Sequence, residues 1–565
     1  MTHFRLPISY LKKKRTLPEE LVTDLELESA APNSLYSKLC DSKTSLGNDT
    51  IPLWGQYFSW DKSYLKDTQK LLLDTIPEPI QDTKDMIATF DDIKNSKNKK
   101  ENDVGFYAQY QYIEWEFLRP LNNNAQCLQW LSLYNMASPV IALMIPILFM
   151  ILPFLILKMK GIPITLSVYI STLKVIFSKH QIGNMFTMSS ASWDKRIYML
   201  ISLVFYIVQI YQNVMSCRSF YKNMVTIHEN TFTIRKFITH SISNMDNFEK
   251  CTEQLKSYTP FIQNMKLHRN VLTKMKKDLD KITPNKISVT KVFEIGHVMK
   301  CFYQLYTNKE YQDSLQYSLS FAGYIDNING IKNNIEKRYI GKCKFSKKTK
   351  FNKAYYPITE KEPVKNSYHL DNQLLITGPN AAGKTTILKT TIFNIIISQQ
   401  IGYGYYESAS IHLYHHLHCY INIPDTSGRD SLFQAEARRC KDILNNIEDF
   451  RKERHFCIFD ELYSGTNPYE AIGSATSFLK YLNKYKNIDF IITTHFLDLC
   501  KKLEVIDNIT NKHMHIKKVN DDFEYTYELV NGISSIKGGV KVLRELGYPQ
   551  EIIEGTTEII HNLNI

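Results

Sequence analysis

The chain has 565 residues, 44% hydrophobic and 22% charged, with a formal net charge of +12. That balance excludes a disordered polyelectrolyte, supplies apolar material for three or four domains, and permits an anionic partner. Ten cysteines without a Cys-x-x-Cys pair give no basis for a zinc cluster or a disulfide scaffold, which fits a reducing, nucleotide-containing compartment.

Residues 1–136 carry no motif with an assignable role. Met1 to Glu20 lacks the apolar stretch of a signal peptide. Asp91 to Asp103 is polar and rich in lysine and asparagine, and reads as an exposed loop. Phe106 and Tyr107 read as packed core aromatics.

Residues 137–217 stand apart. No charge occurs from Pro120 to Leu157, and residues 138–157 are nearly all apolar and long enough to cross a bilayer. A second uncharged window runs from Ile197 to Cys217, with its core at 197–215. Two crossings make a hydrophobic helical hairpin with both ends on one side. The intervening loop holds Lys158, Lys160, Lys174, Lys179, Lys195 and Arg196 against Asp194, the wrong bias for the far side of a membrane. A re-entrant hairpin, with residues 162–177 along the membrane surface, keeps those lysines cytosolic. Prolines interrupt the first window, which lipid-embedded helices tolerate when neighbours satisfy the backbone. Buried helices of a soluble protein remain the alternative.

Residues 218–345 are helical in pattern. From Lys337 to Lys353 the chain holds Lys337, Arg338, Lys342, Lys344, Lys347, Lys348, Lys350 and Lys353 without an acid, interleaved with Tyr339, Phe345 and Phe351. Such a run fits nucleic-acid phosphates, anionic lipid heads or simply a solvated loop.

The apolar run Leu374-Leu375-Ile376 leads into Thr377-Gly378-Pro379-Asn380-Ala381-Ala382-Gly383-Lys384-Thr385-Thr386. This is phosphate-loop spacing, with Gly378 and Gly383 letting backbone amides converge on phosphate and a helix N-terminus facing the same anion. Lys384 adds charge for the terminal phosphates, and the Thr385 hydroxyl is placed for Mg²⁺. ATP with Mg²⁺ is the expected ligand pair. His412, His415, His416, His418 and Cys419 follow, but their strand-like setting sends alternate side chains to opposite faces, so an exposed strand face is expected rather than zinc. Phe456-Cys457-Ile458-Phe459 then runs into Asp460 and Glu461, read as a buried parallel strand carrying acids at its tip. Asp460 would hold Mg²⁺ through water, and Glu461 would polarise the attacking water. Phe490 to Thr494 forms a further strand pattern ending in His495, which is either a catalytic residue that senses or polarises the γ-phosphate or a satisfied strand-end histidine.

Thr377–Thr386, Asp460-Glu461 through Gly465-Thr466-Asn467, and Thr493-Thr494-His495-Phe496 together resemble the ATPase domain of the MutS mismatch-repair family. Ser431-Leu432-Phe433-Gln434-Ala435-Glu436 is similar to that family's signature segment, and Tyr525 to Leu529, Gly532, Ser534, Gly538-Gly539 and Leu546 to Pro549 to its closing elements. The resemblance covers residues 355–560. It implies an ABC/MutS-type α/β phosphate-loop NTPase domain over 346–565, preceded by a helical core and lever over 218–345. It implies a homodimer or MutS-type heterodimer in which Ser431 reaches the partner's γ-phosphate, and DNA as partner. The family's mismatch wedge, Phe-x-Glu, is not matched, because Ala108 and Gln109 follow Phe106-Tyr107. Two functions therefore compete. One is an ATP-gated, DNA-binding dimer related to repair or recombination, cytoplasmic or nuclear. The other is a membrane-anchored mechanochemical ATPase, its catalytic part facing the cytosol, that tethers DNA or organises a membrane without mismatch recognition.

Overall fold

A computed structural model describes residues 4–81, 84–98, 105–177, 193–284, 289–358, 362–370, 373–423, 431–519, 522–534 and 539–562. The chain divides into two compact units. One comprises Asp82–Ile242 and Arg269–Leu315, the other Met1–Gln81, Ser243–His268 and Gln316–Ile565.

The first unit is helical. Its principal elements are α1 (Ala125–Met159), α2 (Leu166–Phe177), α3 (Trp193–Thr252, whose last turns belong to the second unit) and α4 (Ile295–Thr307). Asn124 starts α1 by accepting from the amides of Gln126 (2.9 Å) and Cys127 (3.3 Å), the role short polar side chains play at a helix N-terminus. The Tyr206 hydroxyl donates to the Ala142 carbonyl at 2.9 Å, and the Cys217 thiol meets the Met136 carbonyl at 3.7 Å. Those pairs run in opposite directions along the chain, so α1 and α3 form an antiparallel hairpin. Gly296 opens α4 against the start of α1, where a Cβ would stand 2.2 Å from the Ala125 carbonyl oxygen. Phe106 is buried and stacks on Tyr306 with ring centroids 3.7 Å apart, so it packs as its sequence setting implies.

One expectation changes here. Residues 91–98 are not loop but the end of a helix, Lys84–Asn98. Met86 and Phe90, four apart and both buried, supply the stripe that fixes the helix; residues 99–103 lie outside the described residues. Lys179 of the basic loop also lies outside them.

The second unit is mixed α/β. Its strands are β1 (Lys14–Thr16), β2 (Tyr57–Ser59), β3 (Gly341–Phe345), β4 (Lys350–Ala354), β5 (Asn366–His369), β6 (Gln373–Thr377), β7 (Tyr403–Gly404), β8 (Ser408–Ile411), β9 (His416–Tyr420), β10 (His455–Asp460), β11 (Ile488–Thr494), β12 (Ile509–Val519) and β13 (Asp522–Asn531). A five-stranded sheet has the order β5-β4-β8-β3-β7, and a six-stranded one β13-β12-β6-β11-β10-β9. Residues 341–345, expected in the helical region, pair as β3 in parallel with β8; their basic, alternating pattern is that of a half-exposed strand. In the larger sheet β12, β6, β11, β10 and β9 are parallel and β13 antiparallel.

The unit also holds α5 (Lys309–Glu336, begun in the first unit), and the helices around that sheet include α6 (Lys384–Ile401), α7 (Leu432–Asp449), α8 (Pro468–Leu482) and α9 (Leu497–Glu504). Leu375, Phe459 and Ile492 of three neighbouring strands pack with Leu479 of α8 and Leu499 of α9 in one buried cluster. Both faces of these strands are covered, which is why they read as continuous apolar runs. The N-terminal segment is tied to α6. Gln399 donates to the Ser59 carbonyl (3.1 Å), Gln400 to that of Trp54 (2.7 Å), and the Tyr36 hydroxyl to Gln400 (2.7 Å).

Candidate active site

The parallel sheet brings its chemistry to one edge. Register pairs Thr377 with Thr494 and Asp460 with Thr493, so the ends of β6, β11 and β10 lie side by side. The glycine-rich loop, residues 378–383, leaves β6 and feeds α6. Gly383 adopts φ +93°, and a Cβ there would press to 3.1 Å from the Tyr527 ring; only glycine takes both the turn and the approach without strain. Thr377 is fixed from outside the loop, its hydroxyl oxygen accepting from the Ser534 amide at 2.9 Å.

Lys384 is 5% exposed and donates to the Pro379 carbonyl at 3.1 Å, bending back over its own loop. Burial pulls its ammonium below the usual lysine range, opposed by the charges of Glu461 and Asp460. The Thr385 hydroxyl donates to Asp460 Oδ2 at 2.7 Å, and the Thr493 hydroxyl donates to Asp460 Oδ1. Glu461 follows in the left-handed region, φ +52°, with its amide held by the Thr493 carbonyl at 3.1 Å. That turn aims the carboxylate at His495, whose Nε2 lies 2.8 Å from Glu461 Oε1 and 3.1 Å from Lys384 Nζ. One ring nitrogen cannot donate to the carboxylate and accept from the ammonium at once. The shorter contact takes precedence, with Nε2–H donating to Glu461 and Lys384 engaged by Pro379. The hydrogen bond from His495 holds the Glu461 carboxyl below the usual carboxylate range, with Lys384 adding to it.

Gly378, Pro379, Asn380, Ala381, Ala382, Gly383, Lys384, Thr385, Thr386, Asp460, Glu461 and His495 thus fall in one neighbourhood. Ser431 occupies a different role within the chain. It caps α7, its hydroxyl oxygen accepting from the Gln434 amide (3.3 Å) while the Gln434 side chain accepts from the Ser431 amide (2.9 Å). This is a capping box, legible as Ser-x-x-Gln.

Two further groups had no assigned role in the sequence. Thr493 positions Asp460 and the Glu461 amide. Glu436 is 2% exposed and accepts from the Ser464 amide, the Ser464 hydroxyl and the Gly465 amide, each at 3.1 Å. It fastens α7 to the loop that follows Asp460 and Glu461; its place one turn past a capping box was the available signal. In that loop Asn467 caps α8 through the Glu470 amide (3.0 Å). A cavity of about 550 Å³ adjoins the glycine loop, lined by Tyr355, Pro363, Val364, Ile387 and Tyr527 among others.

The histidine run is not an exposed strand face. β9 is wholly buried, and His416 and His418 stack beside His455 of β10. Burial and the neighbouring His455 push the His416 imidazole down to about 4. Among the described residues no group of three histidine, cysteine or acidic side chains is arranged to hold a metal ion.

The family model for MutS domain V matches residues 374–564. That span begins in β6 and takes in the loop, both carboxylates, His495 and the capped helix. Over that span the chain is similar to the MutS family. Similar relatives are the DNA mismatch repair proteins MutS of Christiangramia forsetii (29% identical), Parabacteroides distasonis (28%) and Bacteroides fragilis (30%). Each match covers 37% of this chain and 24–25% of the relative. The chain therefore aligns with about a quarter of the length of these MutS proteins, and the helical unit falls outside the match.

Proposed function

We propose that this MutS-type chain binds and hydrolyses ATP with Mg²⁺ as a nucleotide-gated dimer, and that the dimer acts on duplex DNA. The carrying observation is the convergence of Lys384, Thr385, Asp460, Glu461 and His495 on one edge of a parallel sheet, the edge at which open α/β sheets bind ligands. The arrangement fits an ABC/MutS-type phosphate-loop NTPase. The Thr385 hydroxyl and Asp460 carboxylate, 2.7 Å apart, are the hard oxygen donors Mg²⁺ prefers; Mg²⁺ bound there would neutralise phosphate charge. Lys384 would exchange the Pro379 carbonyl for phosphate oxygens. Glu461, kept ionised by His495, would orient water and take its proton. The cavity beside Tyr355 and Tyr527 is of a size for a nucleobase. The relatives' name, DNA mismatch repair protein, supports DNA as the partner. The burial of Phe106 argues against a mismatch wedge at that position. The test is ATP turnover by wild type and Lys384→Ala. Turnover at the wild-type rate in Lys384→Ala would end this reading.

A second reading, membrane attachment through the α1–α3 hairpin, is supported by side chains. Val140, Leu143, Leu148 and Leu155 on α1 and Ile201, Val204, Phe205 and Ile207 on α3 are exposed, Phe205 at 69%. The stretch Leu200–Thr252 of α3 contains a window long and apolar enough to cross a membrane, and only 6% of that window is buried. A soluble core helix would bury such a face.

A further inference from the structure

Within the helical unit, a cavity of about 660 Å³ opens among α1, α3 and the start of α4. Its wall is apolar along most of its length, formed by Met136, Val214, Phe220 and Val225. Polar groups gather elsewhere on it. Arg218 is the first charge after the uncharged window, is exposed, and has no acidic partner among the described residues. His228 is 7% exposed, yet its Nε2 has no hydrogen-bond partner. A buried unpaired imidazole nitrogen is costly unless something meets it. Burial, and then the Lys291 charge, keep that ring below the usual histidine range, so it stands neutral. Lys291 pairs with Glu294 at 3.1 Å. Arg218 therefore leaves the lining with net positive charge. Along α3, Val214 and His228 are separated by roughly 21 Å at 1.5 Å per residue, so the cavity is a slot rather than a pit.

We propose that this slot holds one anionic phospholipid drawn from the bilayer. Its acyl chain lies against Met136 and Val214, where α3 is uncharged, and its polar head occupies the stretch of about 15 Å from Arg218 to the His228–Lys291 end. His228 Nε2–H gains the acceptor it lacks, and Arg218 sets the preference for negative charge. The proposal rests on the membrane reading of the hairpin and deepens it.

The test is native mass spectrometry of the full chain in detergent, offered phosphatidylglycerol or phosphatidylcholine. One phosphatidylglycerol should be retained per chain, favoured about fivefold over phosphatidylcholine, the weight of one basic residue at a lipid head. Val225→Trp, which fills the slot, should abolish retention, His228→Phe should weaken it, and the surface change Arg218→Gln should erase the preference. Equal retention of both lipids by wild type, or an unchanged preference in Arg218→Gln, overturns the proposal, and the latter holds even if the cavity-filling variant fails to fold. Carbonate extraction of the wild-type chain tests the membrane reading separately. A chain released as soluble that still retains phosphatidylglycerol overturns the bilayer as source.

Discussion

Glu461 is where local backbone and chemistry meet. Its left-handed turn is unusual for glutamate, and its carboxylate is taken by His495 at 2.8 Å. Glu461→Gln should keep ATP binding while lowering turnover by roughly 10²–10⁴-fold, the usual weight of a positioned base; filter binding alongside phosphate release checks this, and near-normal turnover would remove Glu461 from that role. The depressed carboxyl also fixes a sign. A lowered carboxylate stays ionised as pH falls, so base function persists through the ordinary carboxylate range, whereas the small stabilisation from this pair is full above that range and is lost progressively as pH falls from it to the lowered folded value. Removing the donor in His495→Asn should move the acid limb of turnover upward. An acid limb that does not move would mean His495 does not tune Glu461. Lys384, Thr385, Asp460 and Glu461 were legible because their spacing is short and their chemistry specific. Thr493 was not, since a threonine at a strand end has no signature until register sets it beside Asp460.

At the scale of elements, α7 is the joint between the capped Ser431 end and the catalytic loop. Glu436→Ala removes the buried acceptor of the Ser464 and Gly465 amides, which water partly reaches, at a cost of about 1–3 kcal/mol in all. Thermal denaturation should show this loss, with less of it for Glu436→Gln; wild-type stability in both would show the three contacts to be idle. If Ser431 acts on a partner's nucleotide, mixing Lys384→Ala with Ser431→Ala chains should restore about one working site per mixed dimer. Turnover that stays at the parents' level while the chains still associate would argue against shared sites. The parallel strands were readable from their apolar runs, because burial on both faces removes alternation. The helix Lys84–Asn98 was hidden by a sequence rich in lysine and asparagine, and the buried histidine strand by residues that ordinarily face water.

For the whole molecule, DNA affinity should fall steeply with salt and show little mismatch preference, since phosphates supply the contacts. Neutralising Lys347, Lys348 and Lys350 should flatten that slope in a titration series; a strong mismatch preference lost on Phe106→Ala would contradict the packing role of Phe106. Little of the two-unit division was visible in the sequence, because it joins segments far apart in the chain. The Tyr36–Gln400 hydrogen bond spans 364 residues. At synthesis rates of roughly 5–20 residues per second, the N-terminal segment waits on the order of tens of seconds for α6 to emerge. The apolar stretch at 138–157 leaves the ribosome well before then. Any commitment of that stretch to a bilayer is therefore made while the nucleotide-binding half is unfinished, and the order of emergence, as much as final stability, sets where this chain comes to rest.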